Sequence, residues 1–337
     1  MKHEMFIANA MRTPWAMHPD VLASYASSLV QKLAATPNAD MTTIEAALAA
    51  VPRGRPAPAR SAQGSIAVIP LHGAIMQRAG MMELCGGGTS TDTFGAAFRE
   101  ALADDSISQI LIDIDSPGGS VHGIGELADE IFQARQQKPV VAFANSTAAS
   151  AAYWVGSAAS EFYMTPGGEV GSIGIVMAHR DLSEAMAKAG VKTTFISAGK
   201  FKTEGNPTEP LSKDALDYLK SRTADYYNTF TENVARGRGV STSAVRNGMG
   251  QARMLGAKAA KAENMVDGVM TFGEVIKKMQ GGGGTTRIGM SSGGARPALR
   301  SAQLALAGQG YGASGKPSTG GSPSALQAAK NRLALLG

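Results

Sequence analysis

The chain has 337 residues, room at about 150 residues per domain for two domains or one large domain with extensions. Hydrophobic residues make up 44%, charged 18% and aromatic 6%, which is the composition of a globular core and excludes wholesale disorder. The net charge of +5 is uneven: residues 281–337 hold Arg287, Arg296, Arg300, Lys316, Lys330 and Arg332 with no acidic residue, leaving 26 basic (32 minus those six) against 27 acidic side chains in residues 1–280. A neutral body argues against nucleic-acid binding by the core, while the basic tail can meet acidic partners.

From Met1 onward the chain offers no apolar run of the ~7–15 residues a signal peptide needs. Nor does it hold a run of ~18 or more for a membrane span, so a soluble, cytoplasmic protein without membrane contact is expected. Helices are expected over Asp20–Ala34 and Thr42–Ala50, followed by a linker at Pro52, Pro56 and Pro58. Residues 1–62 are therefore expected to form an accessory segment. Ile66–Ile69 begins a strand. The single Cys85 excludes an internal disulfide and, without His or Asp at ligand spacing, a zinc site, which fits a reducing compartment.

Phe94, Ala97, Phe98, Ala101 and Leu102 follow helical spacing, Ile110–Ile114 reads as a strand, Ile124 to Phe132 as a helix and Val140–Ala144 as a strand. This alternation implies parallel βαβ units with right-handed crossovers, an α/β domain. Further strands are expected at Glu161–Met164, Ile173–Met177 and Thr193–Ser197. Further helices are expected near Asp181–Ala189, over Lys213–Arg238 and around Val245, with the domain spanning residues 63–280. The tail from 281 to 337 has 14 glycines in 57 residues and reads as a flexible tether. Its end, Ser324–Leu336, aligns Leu326, Ala329, Leu333 and Leu336 on one face of a short helix.

Two loops carry residues suited to chemistry. Asp115-Ser116-Pro117-Gly118-Gly119-Ser120 follows a strand, and its glycines allow a backbone N–H to approach a ligand closely, as an oxyanion requires. Asn145-Ser146-Thr147-Ala148-Ala149-Ser150-Ala151-Ala152 also follows a strand. A serine there can present its hydroxyl at a helix start, with the N–H of Ala151 facing the same point. Taken singly, the first is an ordinary turn and Ser150 a small packing residue. A serine nucleophile also needs a base. His122 and His179 remain open for that role, as does a lysine held neutral by apolar surroundings, for which Lys202 and Lys200 both lie in a loop after a strand.

The runs Asp115-Ser116-Pro117-Gly118-Gly119, Ala148-Ala149-Ser150-Ala151-Ala152-Tyr153-Trp154, Gly171-Ser172-Ile173-Gly174 and Gly199-Lys200-Phe201-Lys202 occur in order. Together they resemble the S49 peptidases, the signal peptide peptidase A family, from about Ser65 to Gly273. Val176-Met177-Ala178-His179-Arg180 resembles in particular the phage branch of that family, the capsid assembly or head maturation proteases. The resemblance implies a Clp/crotonase-like fold and a serine endopeptidase with Ser150 as nucleophile and Lys202 as general base. It implies Gly119 and Ala151 as oxyanion-hole donors, Gly118 giving room and Ser172 orienting the lysine. It further implies no metal or nucleotide cofactor, a cyclic homo-oligomer, and a portal, scaffold or coat protein as substrate inside a viral procapsid. Two departures stand out: Ala151-Ala152 replaces the Gly-Gly of many members, and Lys200 lies close to Lys202. Clp peptidases use Ser-His-Asp, but the region where that histidine would fall reads Val170-Gly171-Ser172-Ile173. A signal-peptide-degrading enzyme and an inactive assembly module on the same fold are the rival expectations.

Overall fold

The structure is a computed structural model and describes residues 14–17, 59–61, 64–78 and 88–281. The chain separates into compact units Met1–Gly282 and Gly283–Gly337. The second, with the expected tether and terminal helix, lies outside the described residues, as do Cys85 and the helices expected over Asp20–Ala34 and Thr42–Ala50. The elements in chain order are β1 (Trp15–Met17), β2 (Ala59–Ser61), β3 (Gly64–His72), β4 (Ala74–Met76), β5 (Gly88–Ser90), α1 (Thr91–Ala103), β6 (Ile107–Ser116) and β7 (Gly118–Ser120). They continue with α2 (Ile124–Ala134), β8 (Val140–Ala149), α3 (Ala151–Ser157), β9 (Glu161–Met164), β10 (Glu169–Gly171), α4 (Ser183–Lys188) and α5 (Lys213–Arg238). Last come α6 (Thr242–Asn247), β11 (Met254–Gly256), α7 (Ala257–Ala262), β12 (Gly268–Val269) and α8 (Phe272–Met279).

The α/β expectation holds. β3, β6, β8 and β9 run parallel, in the registers Ile69↔Ile112, Ile112↔Ala142 and Ala142↔Phe162. Helices cover this sheet, so its strands read as nearly unbroken apolar runs, and Ile110, Leu111, Ile112 and Ile114 are all fully buried. α1 starts at Ser90, whose side chain accepts the Thr93 N–H, and turns Phe94, Phe98 and Ala101 inward. α2 buries Ile124, Leu127, Ala128 and Ile131, the same stripe that its spacing predicts. α5 is capped by Ser212 at one end and by Gly239, left-handed at φ 66°, at the other. Its Phe230 stacks on Trp154 of α3, ring centroids 4.4 Å apart.

Two expected strands come out differently. Ile173–Met177 is joined to β structure only at Val176, which bridges Trp15. Gly171 and Ser172 take positive φ values of 136° and 54°, and this turn carries the chain out of the sheet where β10 ends. Thr193–Ser197 forms no strand. Residues 191–202 are exposed throughout, and a β-rich sequence without a neighbouring strand has nothing to pair with.

A smaller sheet, in the order β1-β7-β4-β5, stands at the carboxyl ends of the long strands. β3 passes into β4 through Gly73 and β6 into β7 through Pro117. The hydrogen bonds Gly73 N–H to Asp115 O (2.9 Å) and Ser116 Oγ to Gly73 O (2.6 Å) hold the two crossings together. Residues 14–17 and 59–61, from the segment expected to be accessory, thus supply strands to both sheets: β1 pairs with β7, and β2 pairs antiparallel with β3.

Candidate active site

β8 ends at Ala149 and α3 begins at Ala151, so Ser150 alone makes the turn. It does so with φ 54° and ψ −114°, a conformation that costs a non-glycine residue about 1–3 kcal/mol and persists only where its surroundings hold it. Here the Ser150 N–H donates to Gly171 O at 2.7 Å and its carbonyl accepts the Trp154 N–H at 2.9 Å. The flanking Ala148, Ala149, Ala151 and Ala152 are buried and small enough for the sharp strand-to-helix turn. Ser150 Oγ donates to Gly174 O at 3.4 Å. A carbonyl accepts that hydrogen bond but is too weak a base to take the proton at neutral pH, so activation of Ser150 needs another group.

Gly118 lies directly against Ser150. A Cβ on Gly118 would stand 3.0 Å from Ser150 Cβ, 2.9 Å from Ala149 O and 2.2 Å from Ala16 O, and φ here is +96°, so glycine is required twice over. The Gly118 N–H donates to Ser116 Oγ at 3.2 Å. Gly119 is held in register between Ala16 of β1 and Ile75 of β4, and a Cβ there would come within 1.8 Å of Ile75 O. Ala151 opens α3, so its N–H has no acceptor within the helix. Ser172 follows the residue that accepts the Ser150 N–H, is buried, and donates its own N–H to Arg253 O at 3.0 Å. The structure therefore gathers Gly118, Gly119, Ala151 and Ser172 around Ser150.

Lys202 is placed differently. It sits in an exposed turn, its N–H bonded to Gly199 O at 3.2 Å, and its ammonium has no hydrogen bond or ion pair among the described residues. The neighbouring Lys200 rests its ammonium over the Phe201 ring. Of the histidines left open as bases, His122 Nδ1 is 3.1 Å from Ser120 Oγ, and His179 has both ring nitrogens buried without a hydrogen-bond partner among the described residues. His179 lines a groove of about 530 Å³ that runs from Gly174, beside Ser150, to Leu216 and Tyr227 of α5.

Two features escape sequence reading. His72, at the end of β3, has Nε2 3.4 Å from Asp113 Oδ2, and Asn145 Nδ2 donates to Asp113 Oδ1 at 3.1 Å. The hydrogen bond to Asp113 raises the His72 pKa above the usual histidine range, against the opposing pull of partial burial. The second feature is β1 itself: Trp15-Ala16-Met17 after Pro14 is an apolar run too short to signal a strand. Among the described residues no helix is long and apolar enough to cross a membrane.

Comparison with known proteins places part of the chain. Head-tail preconnector protein GP5 of Enterobacteria phage P21 is 39% identical over 191 residues, covering 57% of this chain and 38% of that protein. Capsid assembly protease C of Escherichia phage lambda is 36% identical over 192 residues, 56% of this chain and 44% of that protein. Protease 4 of Salmonella typhi is 28% identical over 216 residues, 64% of this chain and 34% of that protein. Each match spans less than half the length of the relative. The family model described as Peptidase family S49 matches residues 133–284. That match takes in the stretch that holds Ser150, Ser172 and Lys202.

Proposed function

We propose that the protein is a serine endopeptidase with a Ser150/Lys202 dyad. Ser150 Oγ attacks a peptide carbonyl while neutral Lys202 takes its proton. The N–H groups of Gly119 and Ala151 hold the oxyanion, and Lys202 then protonates the departing amine. Water, activated by the same lysine, releases the acyl group from Ser150. The observation that carries this reading is the strained conformation of Ser150, packed against Gly118 at a strand-to-helix turn within the stretch that matches Peptidase family S49. The names of the phage relatives favour a portal, scaffold or coat protein as substrate during head assembly, in the host cytoplasm or the procapsid. In this reading residues 63–280 form the peptidase domain, and the tail from 281 to 337 brings it to the assembling shell.

Ser172, buried one residue beyond the acceptor of the Ser150 N–H, would orient Lys202 once the lysine loop closes on the site. That loop is exposed, and its Lys202 ammonium is without a described partner. This favours a second reading, an idle assembly module on the same fold. Mass-spectrometric mapping of products from a denatured protein substrate separates the two: wild type should yield a defined cleavage pattern and Ser150→Ala none. Equal patterns from both would remove Ser150 from the mechanism.

A further inference from the structure

We propose that residues 14–17 lie, as strand β1, in the backbone slot an extended substrate must enter beside Ser150, so that the chain holds its own site closed until this strand leaves. The inference rests on Ser150 being the nucleophile. β1 runs antiparallel to β7 with Trp15↔Ser120, Ala16↔Gly119 and Met17↔Gly118 in register. On its other edge Trp15 N–H donates to Val176 O and Val176 N–H to Trp15 O, both at 2.9 Å. The slot thus has two backbone walls, and both bond main chain, which an extended peptide of any sequence can supply.

The strand sits over the nucleophile. The space a Cβ on Gly118 would need is shared by Ala16 O, at 2.2 Å, and Ser150 Cβ, at 3.0 Å. Ser150 is fully buried, whereas a nucleophile must be reached by its substrate. Side chains alternate across the strand as they do in any β-strand. Trp15 and Met17 pack with Ala74 beside Met76 and Val176, while the small Ala16 is fully buried in the main core. The slot accordingly selects an extended segment with a small residue between two larger apolar ones. The ladder is only three residues long, and the buried Trp15 and Met17 side chains add apolar contact to it. Held on the same chain, these residues compete at an effective concentration on the order of millimolar.

The test uses the full chain, with Trp15→Asp to expel the strand and Ala16→Leu as a milder second variant. A fluorescein-labelled peptide of residues 12–18 is titrated into each and its polarisation read, with thermal unfolding as the check on folding. At least one folded variant should bind the peptide about tenfold or more tightly than wild type does. A scrambled peptide should bind neither. Folded variants that bind no better than wild type would overturn the proposal. So would unfolding of both, which would make β1 a structural strand that cannot leave. Turnover of a denatured protein provides a separate arm: the variants should cut several-fold faster and the added peptide should slow them. Peptide binding without turnover in any form would leave the strand displaceable and refute the peptidase reading instead.

Discussion

Ser150 and Lys202 present opposite environments, one enclosed and strained, the other open to water. For a lysine to act as base it must be held neutral by apolar surroundings, which an exposed turn does not provide. Closure of the 199–205 turn over the site is therefore part of the proposed mechanism. Lys202→Ala should lower kcat/KM by roughly 10³-fold or more, and Lys202→Arg should be equally inactive because a guanidinium keeps its proton. A Lys202→Ala enzyme with near-normal turnover, alongside a dead His122 or His179 variant, would reassign the base. His72 makes an independent, measurable statement. Its folded pKa is raised by Asp113, so its stabilising contribution is complete below the unfolded value of about 6.5 and is lost as pH rises through the folded pKa. NMR titration should find His72 above the free histidine value and Asp113→Asn should bring it down. A His72 titrating at or below the free value in the wild type would remove the pair.

At the scale of elements, α3 is held by segments that follow it in the chain: Trp154 stacks on Phe230, and Gly156 is tucked so close to Phe162 that a Cβ would meet its ring at 2.8 Å. α5 crosses α3 at Gly237, where a Cβ would stand 2.1 Å from Ser157 O. Gly237→Ala must therefore push α5 outward despite alanine's better helix propensity, and overpacking of this kind costs about 1–3 kcal/mol. Chemical denaturation should show that loss, and because α3 carries Ser150 at its head, turnover should fall with it. A neutral or stabilising Gly237→Ala would mean that the crossing has slack the structure does not show. α5 was legible from sequence, since the helical stretch expected over Lys213–Arg238 is the one that forms. The need for Gly237 was not, because within a helix the only local reading of glycine is as a poor helix former.

Across the whole Met1–Gly282 unit, exposed apolar side chains cluster in the segment that carries the lysine. Ile196 is 100% exposed, Phe201 56% and Phe195 44%, and Tyr218 of α5 adds 55%. Such a patch marks a surface that is covered in the working state. It fits the cyclic homo-oligomer expected from the family resemblance, in which covering residues 191–202 also dries the surroundings of Lys202. Sedimentation velocity should show a discrete assembly for wild type, and Ile196→Asp with Phe201→Asp should shift it toward monomer with a parallel loss of turnover. A fully active monomer would refute the coupling. The basic tail, with the recruiting role proposed for it, lies outside the described residues.

Sequence alone determined the α/β alternation, the place of Ser150 just after a strand and the glycine pair Gly118-Gly119 beyond another, because periodicity and glycine requirements act over neighbouring residues. It also carried the family motifs around Ser150 and Lys202. Only the tertiary structure decided that Trp15–Met17 pairs with Gly118–Ser120 and Val176, that His72 meets Asp113, and that Ile173–Met177 leaves the sheet. Each of these depends on which distant segment supplies the partner. A three-residue strand or a lone histidine has no local pattern of its own, and its conformation is set by main-chain and charge partners that folding alone brings within reach.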